Sequence, residues 1–201
     1  MPILLLFFKI RYKMNHMTSK MTFANTLTIG RIILVPIFMV ILLTEMENKE
    51  ILAFAIFLLA SITDAFDGYY ARKYNQITEL GQFLDPLADK LLITAALLAL
   101  VYLEVVATWA AAIIILREIF IFGFRFYFLV KESAFSTSWL AKKKTLIQVV
   151  AIGLLIIYPK VPYSDLIFEI GTAILYAAVI LSVYSGIEYV VKYSRSLKQN
   201  Q

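Results

Sequence analysis

Six apolar stretches separated by short polar breaks run along the chain, at about Thr26–Thr44, Ile51–Tyr70, Pro86–Leu103, Ala107–Val130, Leu140–Tyr158 and Leu166–Val191. Most are long enough for a helix crossing a hydrocarbon layer about 30 Å thick. A segment in lipid must satisfy its own backbone N–H and C=O groups, which implies helices rather than strands. The fifth stretch is the weakest, because its apolar part proper begins only at Thr145. The pattern predicts an all-α, polytopic membrane protein with six transmembrane helices in one bundle. Three parts follow: an N-terminal segment over 1–24, a six-helix domain over 25–193 and a tail over 194–201.

The basic residues give this map a direction. Of 19 Lys and Arg, 13 fall in the N-terminal segment, the breaks after the second and fourth stretches, and the C-terminal tail. Only Lys49 and Lys160 lie in the alternate breaks, and Glu45–Glu50 is acidic. Excess Lys and Arg mark the cytoplasmic side, so both termini are expected there. Pro2–Ile10 is apolar but too short to span, and Lys9 to Lys20 is basic, which suits an interfacial segment. No small-residue cleavage site follows it, so a cleaved signal peptide is not expected. Met14, Met17 or Met21 is an alternative native start.

Composition narrows the chemistry. The chain is 61% hydrophobic and 16% charged, with mean hydropathy +0.80, which excludes a disordered chain or an ordinary soluble protein. It has no cysteine and one histidine, His16, so neither a thiolate site nor a multi-histidine metal site fits. The net charge of +5 suits cytoplasmic loops facing anionic lipid rather than nucleic acid.

Against this background the aspartates stand out. Asp64, Asp67, Asp85 and Asp89 are four of the five in the chain. Charged side chains inside a bilayer are costly, and are usually paired and functional. Asp64 and Asp67 are three apart, Asp85 and Asp89 four apart, so on helices each pair shares a face. Gly68 and Ala71 lie on the face of the first pair, leaving room for close approach. Pro86 is expected to begin or kink the third helix, with Asp85 near its N-terminus. All-carboxylate ligation suits hard cations, Mg²⁺, Mn²⁺ or Ca²⁺. Two such ions could hold a pyrophosphate and stabilise both oxygens of a displacement. A carboxylate not fully used by metal could accept a proton from an incoming hydroxyl. The plainer alternative is that these acids cap helices or pair with Arg72, Lys73 and Lys90.

The stretch from Asp64 to Asp89 reads D-x2-D-G-x2-A-R-x8-G-x3-D-x3-D. It resembles the signature of the CDP-alcohol phosphotransferases at every fixed position. The resemblance implies a six-helix membrane enzyme, usually a homodimer, in which a CDP-linked donor loses CMP to an alcohol acceptor. It implies that Asp64, Asp67 and Asp85 ligate two Mg²⁺ or Mn²⁺ ions. Asp89 would be the base and would also touch metal. Gly68, Ala71 and Arg72 would lie against the cytidine diphosphate, with Asn25, Arg31 and Gly81 completing the donor site. A divalent-cation transporter using the acids as an ion path is a remote alternative, which the Gly and Arg positions of the signature disfavour.

Much of the rest, from about Ala24 to Tyr193, resembles the phosphatidylglycerophosphate-forming branch of that family. The matching residues include Asn25–Arg31 with Pro36, Arg117-Glu118, Gly123, Arg125, Lys142–Thr145 with Gln148, and Ser185-Gly186 with Tyr189. Ala24 and Ala141 depart from the pattern, where Pro and Gly are common. The branch implies transfer of a phosphatidyl group from CDP-diacylglycerol to the C1 hydroxyl of sn-glycerol 3-phosphate. The setting would be the cytoplasmic face of a bacterial cell membrane, among phospholipids. A physical reading agrees, since glycerol 3-phosphate carries a phosphate that needs fixed cations. Arg117 and Arg125 are eight apart on roughly one face, and Lys142, Lys144 and Thr145 enter the next helix from the cytoplasmic side. Each has a plainer alternative: an ion pair with Glu118 for Arg117, an aspartate partner for Arg31, and a topogenic role for Lys142–Lys144. Phosphatidylglycerol or an inositol phosphate is an alternative acceptor, as for a cardiolipin synthase or a phosphatidylinositol-phosphate synthase.

Overall fold

The structure, a computed structural model, describes residues 23–73, 79–130 and 139–199, with side chains described over 26–63, 84–123 and 145–188. Among these residues six α-helices follow one another: α1 (Phe23–Leu43), α2 (Lys49–Lys73), α3 (Glu79–Tyr102), α4 (Thr108–Val130), α5 (Trp139–Ile157) and α6 (Ser164–Gln199). A 3₁₀ turn at Tyr158–Lys160 joins α5 to α6, and there is no strand among the described residues. Each apolar stretch of the sequence carries one helix. The interfacial segment expected over 1–24 lies outside the described residues, except that its last two positions open α1.

Among the described residues two helices, at Thr26–Leu43 and Ser164–Glu188, are long and apolar enough by length and composition to cross a membrane. A shorter apolar helix covers Thr145–Lys160. At 36 residues, α6 is about 54 Å long, and it runs on past the boundary drawn at residue 193.

One expectation is corrected. Pro86 does not begin α3; the helix starts at Glu79 and continues through it, so Asp85 sits well inside. An interior proline removes one helical hydrogen bond and crowds the preceding turn, at a cost of about 3 kcal/mol. α3 packs against α1, and tertiary contact of that kind works against the cost. Thr28 holds Asp85, and Ala88 and Leu92 are buried just beyond.

The core joins all six helices. Phe38 and Leu42 of α1 meet Phe57 of α2, Leu97 and Leu100 of α3, Ile114 of α4, Ile152 and Leu155 of α5 and Leu175 of α6. Phe38 and Phe57 rings lie 5.9 Å apart. Buried alanines at 53, 60, 96, 110, 151 and 178 let helix backbones approach, the device that packs helices where lipid removes the hydrophobic drive between them. Gly171 does the same for α5 and α6, since a Cβ there would stand 3.1 Å from Leu155 Cγ. Outside, Ile33, Val40, Leu59, Leu116, Ile119, Ile180 and Ile187 are exposed, an apolar surface of the kind lipid covers.

At one end the turns after α1, α3 and α5 meet around a cavity of about 180 Å³ lined by Leu42, Glu50, Leu103, Val105, Leu155 and Pro159. Lys160 Nζ lies 3.9 Å from Glu50 Oε2 there. Asn48, Glu104 and Tyr163 take left-handed backbone angles, φ 62, 60 and 61. Glu104 ends α3 in the manner glycine usually does. Val105 N–H donates to the Leu100 carbonyl at 2.9 Å and Glu104 N–H to Val101 at 3.0 Å, the paired bonds of a Schellman cap.

Candidate active site

The other end of α2 and the first turns of α3 carry the acids. Asp64, Asp67, Gly68, Ala71 and Arg72 occupy the last turns of α2, and Gly81 is near the start of α3. Their side chains lie outside the described residues, as do those of Asn25 on α1, Arg125 on α4 and Lys142 and Lys144 on α5. Among the described side chains no three acids gather to hold a metal; only Asp85 and Asp89 of the four are in that set.

Asp85 and Asp89 are partly buried, four residues apart on α3. Thr28 Oγ1 donates to Asp85 Oδ1 at 2.6 Å, linking α1 to α3. Thr28 is fully buried, and so is Arg31 one turn further along the same helix. A burial that complete in an apolar helix demands polar company for the guanidinium.

Asp89 stands at one end of a chain of charges. Lys90 Nζ donates to Asp89 Oδ2 at 2.8 Å and lies 2.9 Å from Glu118 Oε2. Arg117 Nη1 donates to Glu118 Oε1 at 2.9 Å, and Arg117 Nη2 to Ser185 Oγ at 2.8 Å. The ion pair that was the plainer alternative for Arg117 is therefore present, and so is a pairing of Asp89 with Lys90. Arg117 still has a donor in hand, because its buried Nε makes no hydrogen bond among the described residues. Gly186 flanks it, with Arg117 Cγ at 3.7 Å from where a Cβ would stand. Thr145 on α5 is partly buried.

The donor set fits a divalent cation. It is all oxygen and anionic, as Mg²⁺ and Mn²⁺ prefer. A carboxylate offers about four lone-pair sites, so its one bond among the described residues, from Thr28, leaves Asp85 with capacity to spare. Sequence reasoning did not assign Thr28, Lys90, Glu118 or Ser185 to the site. Thr28, Glu118 and Ser185 lie within the stretches Asn25–Arg31, Arg117-Glu118 and Ser185-Gly186 that carry the resemblance, and Lys90 adjoins Asp89, which was the available signal.

The chain matches the CDP-alcohol phosphatidyltransferase family over residues 21–184. It belongs to that family. It is 40% identical over 186 residues to the CDP-diacylglycerol–glycerol-3-phosphate 3-phosphatidyltransferase of Bacillus subtilis, covering 87% of this chain and 96% of that one. The protein of the same name from Rickettsia bellii is 37% identical over 168 residues, covering 82% and 91%. That from Haemophilus influenzae is 37% identical over 178 residues, covering 87% and 94%. The family generally uses divalent metal ions. Membership and the apolar helices together point to an integral membrane protein.

Proposed function

We propose that the chain transfers the phosphatidyl group of CDP-diacylglycerol to the C1 hydroxyl of sn-glycerol 3-phosphate, giving phosphatidylglycerophosphate and CMP. One observation carries the reading: the complete acidic signature stands on a chain 37–40% identical, nearly end to end, to proteins named for that reaction.

Asp64, Asp67, Asp85 and Asp89 would hold two Mg²⁺ or Mn²⁺ ions, which supply positive charge to the diphosphate and the departing CMP. Gly68, Ala71 and Gly81 would give the cytidine diphosphate room for close approach. Asn25, Arg31 and Arg72 would bond it. Asp89 accepts the proton of the C1 hydroxyl. That oxygen forms a bond to the β-phosphorus as the bond from the β-phosphorus to the oxygen of CMP breaks, in line and without a covalent enzyme intermediate. Arg117, Arg125, Lys142, Lys144 and Thr145 bind the phosphate of glycerol 3-phosphate. The Nε–H of Arg117 supports this: it has no partner among the described residues, and an acceptor phosphate would give it one. The six helices span a bacterial cytoplasmic membrane, with both termini and the acids on the cytoplasmic side and the acyl chains leaving sideways into lipid. The protein acts as a homodimer.

The test is CMP release by purified protein from CDP-diacylglycerol with Mg²⁺ or Mn²⁺ and single acceptors. Turnover with glycerol 3-phosphate that EDTA stops is the expected result. Preference for phosphatidylglycerol or inositol phosphate would refute the acceptor, and no CMP with any acceptor would refute the reaction.

A further inference from the structure

Glu118 sits midway along α4 and is 3% exposed. A carboxylate so placed in an apolar helix is costly unless it is paired. Its two oxygens meet two different cations, Arg117 Nη1 at Oε1 and Lys90 Nζ at Oε2, each at 2.9 Å. Beyond Lys90 lies Asp89, and beyond Arg117 lies Ser185 of α6. Ser185 Oγ in turn donates to the Ser182 carbonyl at 3.0 Å. Asp89, Lys90, Glu118 and Arg117 thus form one string of alternating charge across α3 and α4, anchored on α6.

Such strings are seldom the most stable way to join helices, since well-packed apolar residues of similar volume often serve as well or better. This one touches both halves of the reaction proposed above. Lys and Arg are long, rotamer-rich side chains, and one rigidly held carboxylate between them restricts both. Removing it would leave Lys90 and Arg117 without their shared anion, and Asp89 would be the one acid left to Lys90 among the described residues.

We propose that Glu118 is a positioning residue for the transfer: it fixes Lys90 against Asp89 and turns Arg117 towards the acceptor phosphate. The proposal rests on the roles given to Asp89 and Arg117 above. Glu118 touches neither substrate; it acts through its two cations.

The test is kinetic, on the full chain in detergent with CDP-diacylglycerol, glycerol 3-phosphate and Mg²⁺. Glu118→Gln keeps the volume and removes the charge. Glu118→Asp keeps the charge but is too short to reach both cations, and it carries the test should the first variant fail to fold. Each should lower kcat and raise the glycerol 3-phosphate KM by about tenfold, the scale of a lost charge-assisted hydrogen bond. The CDP-diacylglycerol KM should stay within about twofold. On an Arg117→Ala background, Glu118→Gln should raise the glycerol 3-phosphate KM by less than about threefold, because the side chain it acts through is gone. Unchanged kinetics in a folded variant, equal rises in both KM values, or fully multiplicative effects in the double variant would overturn the proposal. Unmutated protein that releases no CMP with glycerol 3-phosphate would instead overturn the functional reading, so the two failures are distinct.

Discussion

Thr28→Val removes one hydroxyl and nearly preserves shape, and with it goes the bond between α1 and Asp85. The 2.6 Å separation of Thr28 Oγ1 and Asp85 Oδ1 lies in the range of a hydroxyl donating to a carboxylate. Thr28 is fully buried, which leaves little room for water to replace the lost donor. Hydrogen bonds to charged groups contribute about 1.5–3 kcal/mol. At about 1.4 kcal/mol per factor of ten, the loss is worth about 10- to 100-fold in any equilibrium that needs the carboxylate oriented. Partners that orient a metal ligand have effects of that same size, about 10- to 100-fold in affinity or activity. The assay is CMP release titrated with Mn²⁺ or Mg²⁺, beside thermal unfolding in detergent. We expect the metal concentration at half-maximal rate to rise by about tenfold or more in Thr28→Val. Thr28→Ser, which keeps the donor, should stay within about threefold of the unmutated protein. A folded Thr28→Val with unchanged kcat and metal dependence would reduce the bond to a contact between helices and remove Asp85 from the reasoning.

Three further outcomes are expected. Asp89→Asn should abolish turnover while CDP-diacylglycerol still binds, measured by single-turnover kinetics and donor binding; near-normal turnover would refute the base assignment. Arg117→Ala should raise the glycerol 3-phosphate KM by about tenfold and the donor KM far less, and equal rises would count against an acceptor role. Gly171→Val brings in a Cβ that would stand 3.1–3.3 Å from atoms of Leu154 and Leu155, and overpacking of that kind costs about 1–3 kcal/mol. Its unfolding midpoint should fall with both KM values unchanged, and a midpoint at or above that of the unmutated protein would show that the α5–α6 contact yields.

Helix placement was legible because apolar run length is a strong, local signal. Every stretch from Thr26 to Val191 carries a helix, and α1, α2, α4 and α5 lie close to their expected bounds. The start of α3 was not legible, because proline chemistry argues locally for a boundary at Pro86 while packing against α1 decides otherwise. The end of α3 was legible, at Tyr102 against an expected Leu103, although Glu104, which takes the left-handed conformation just beyond it, is not glycine. At the site, spacing and resemblance indicated the four acids and the cationic residues. They did not pair Thr28 with Asp85 across 57 residues, nor Lys90 with Glu118, because such contacts depend on how helices are rotated against one another. Single-sequence periodicity does not encode that rotation.

The three short turns gathered at the end remote from the acids make that end a fulcrum. Along α2, Asp64 is about 21 Å from Glu50, at 1.5 Å per residue. A tilt of about 2° at the pinned end therefore displaces the level of Asp64 by about 0.7 Å, and a misplacement near 1 Å can cost about 100-fold in rate. Under the roles proposed above for the acids, their placement depends by leverage on the far side of the bundle, where the Asn48, Glu104 and Tyr163 turns act as bearings.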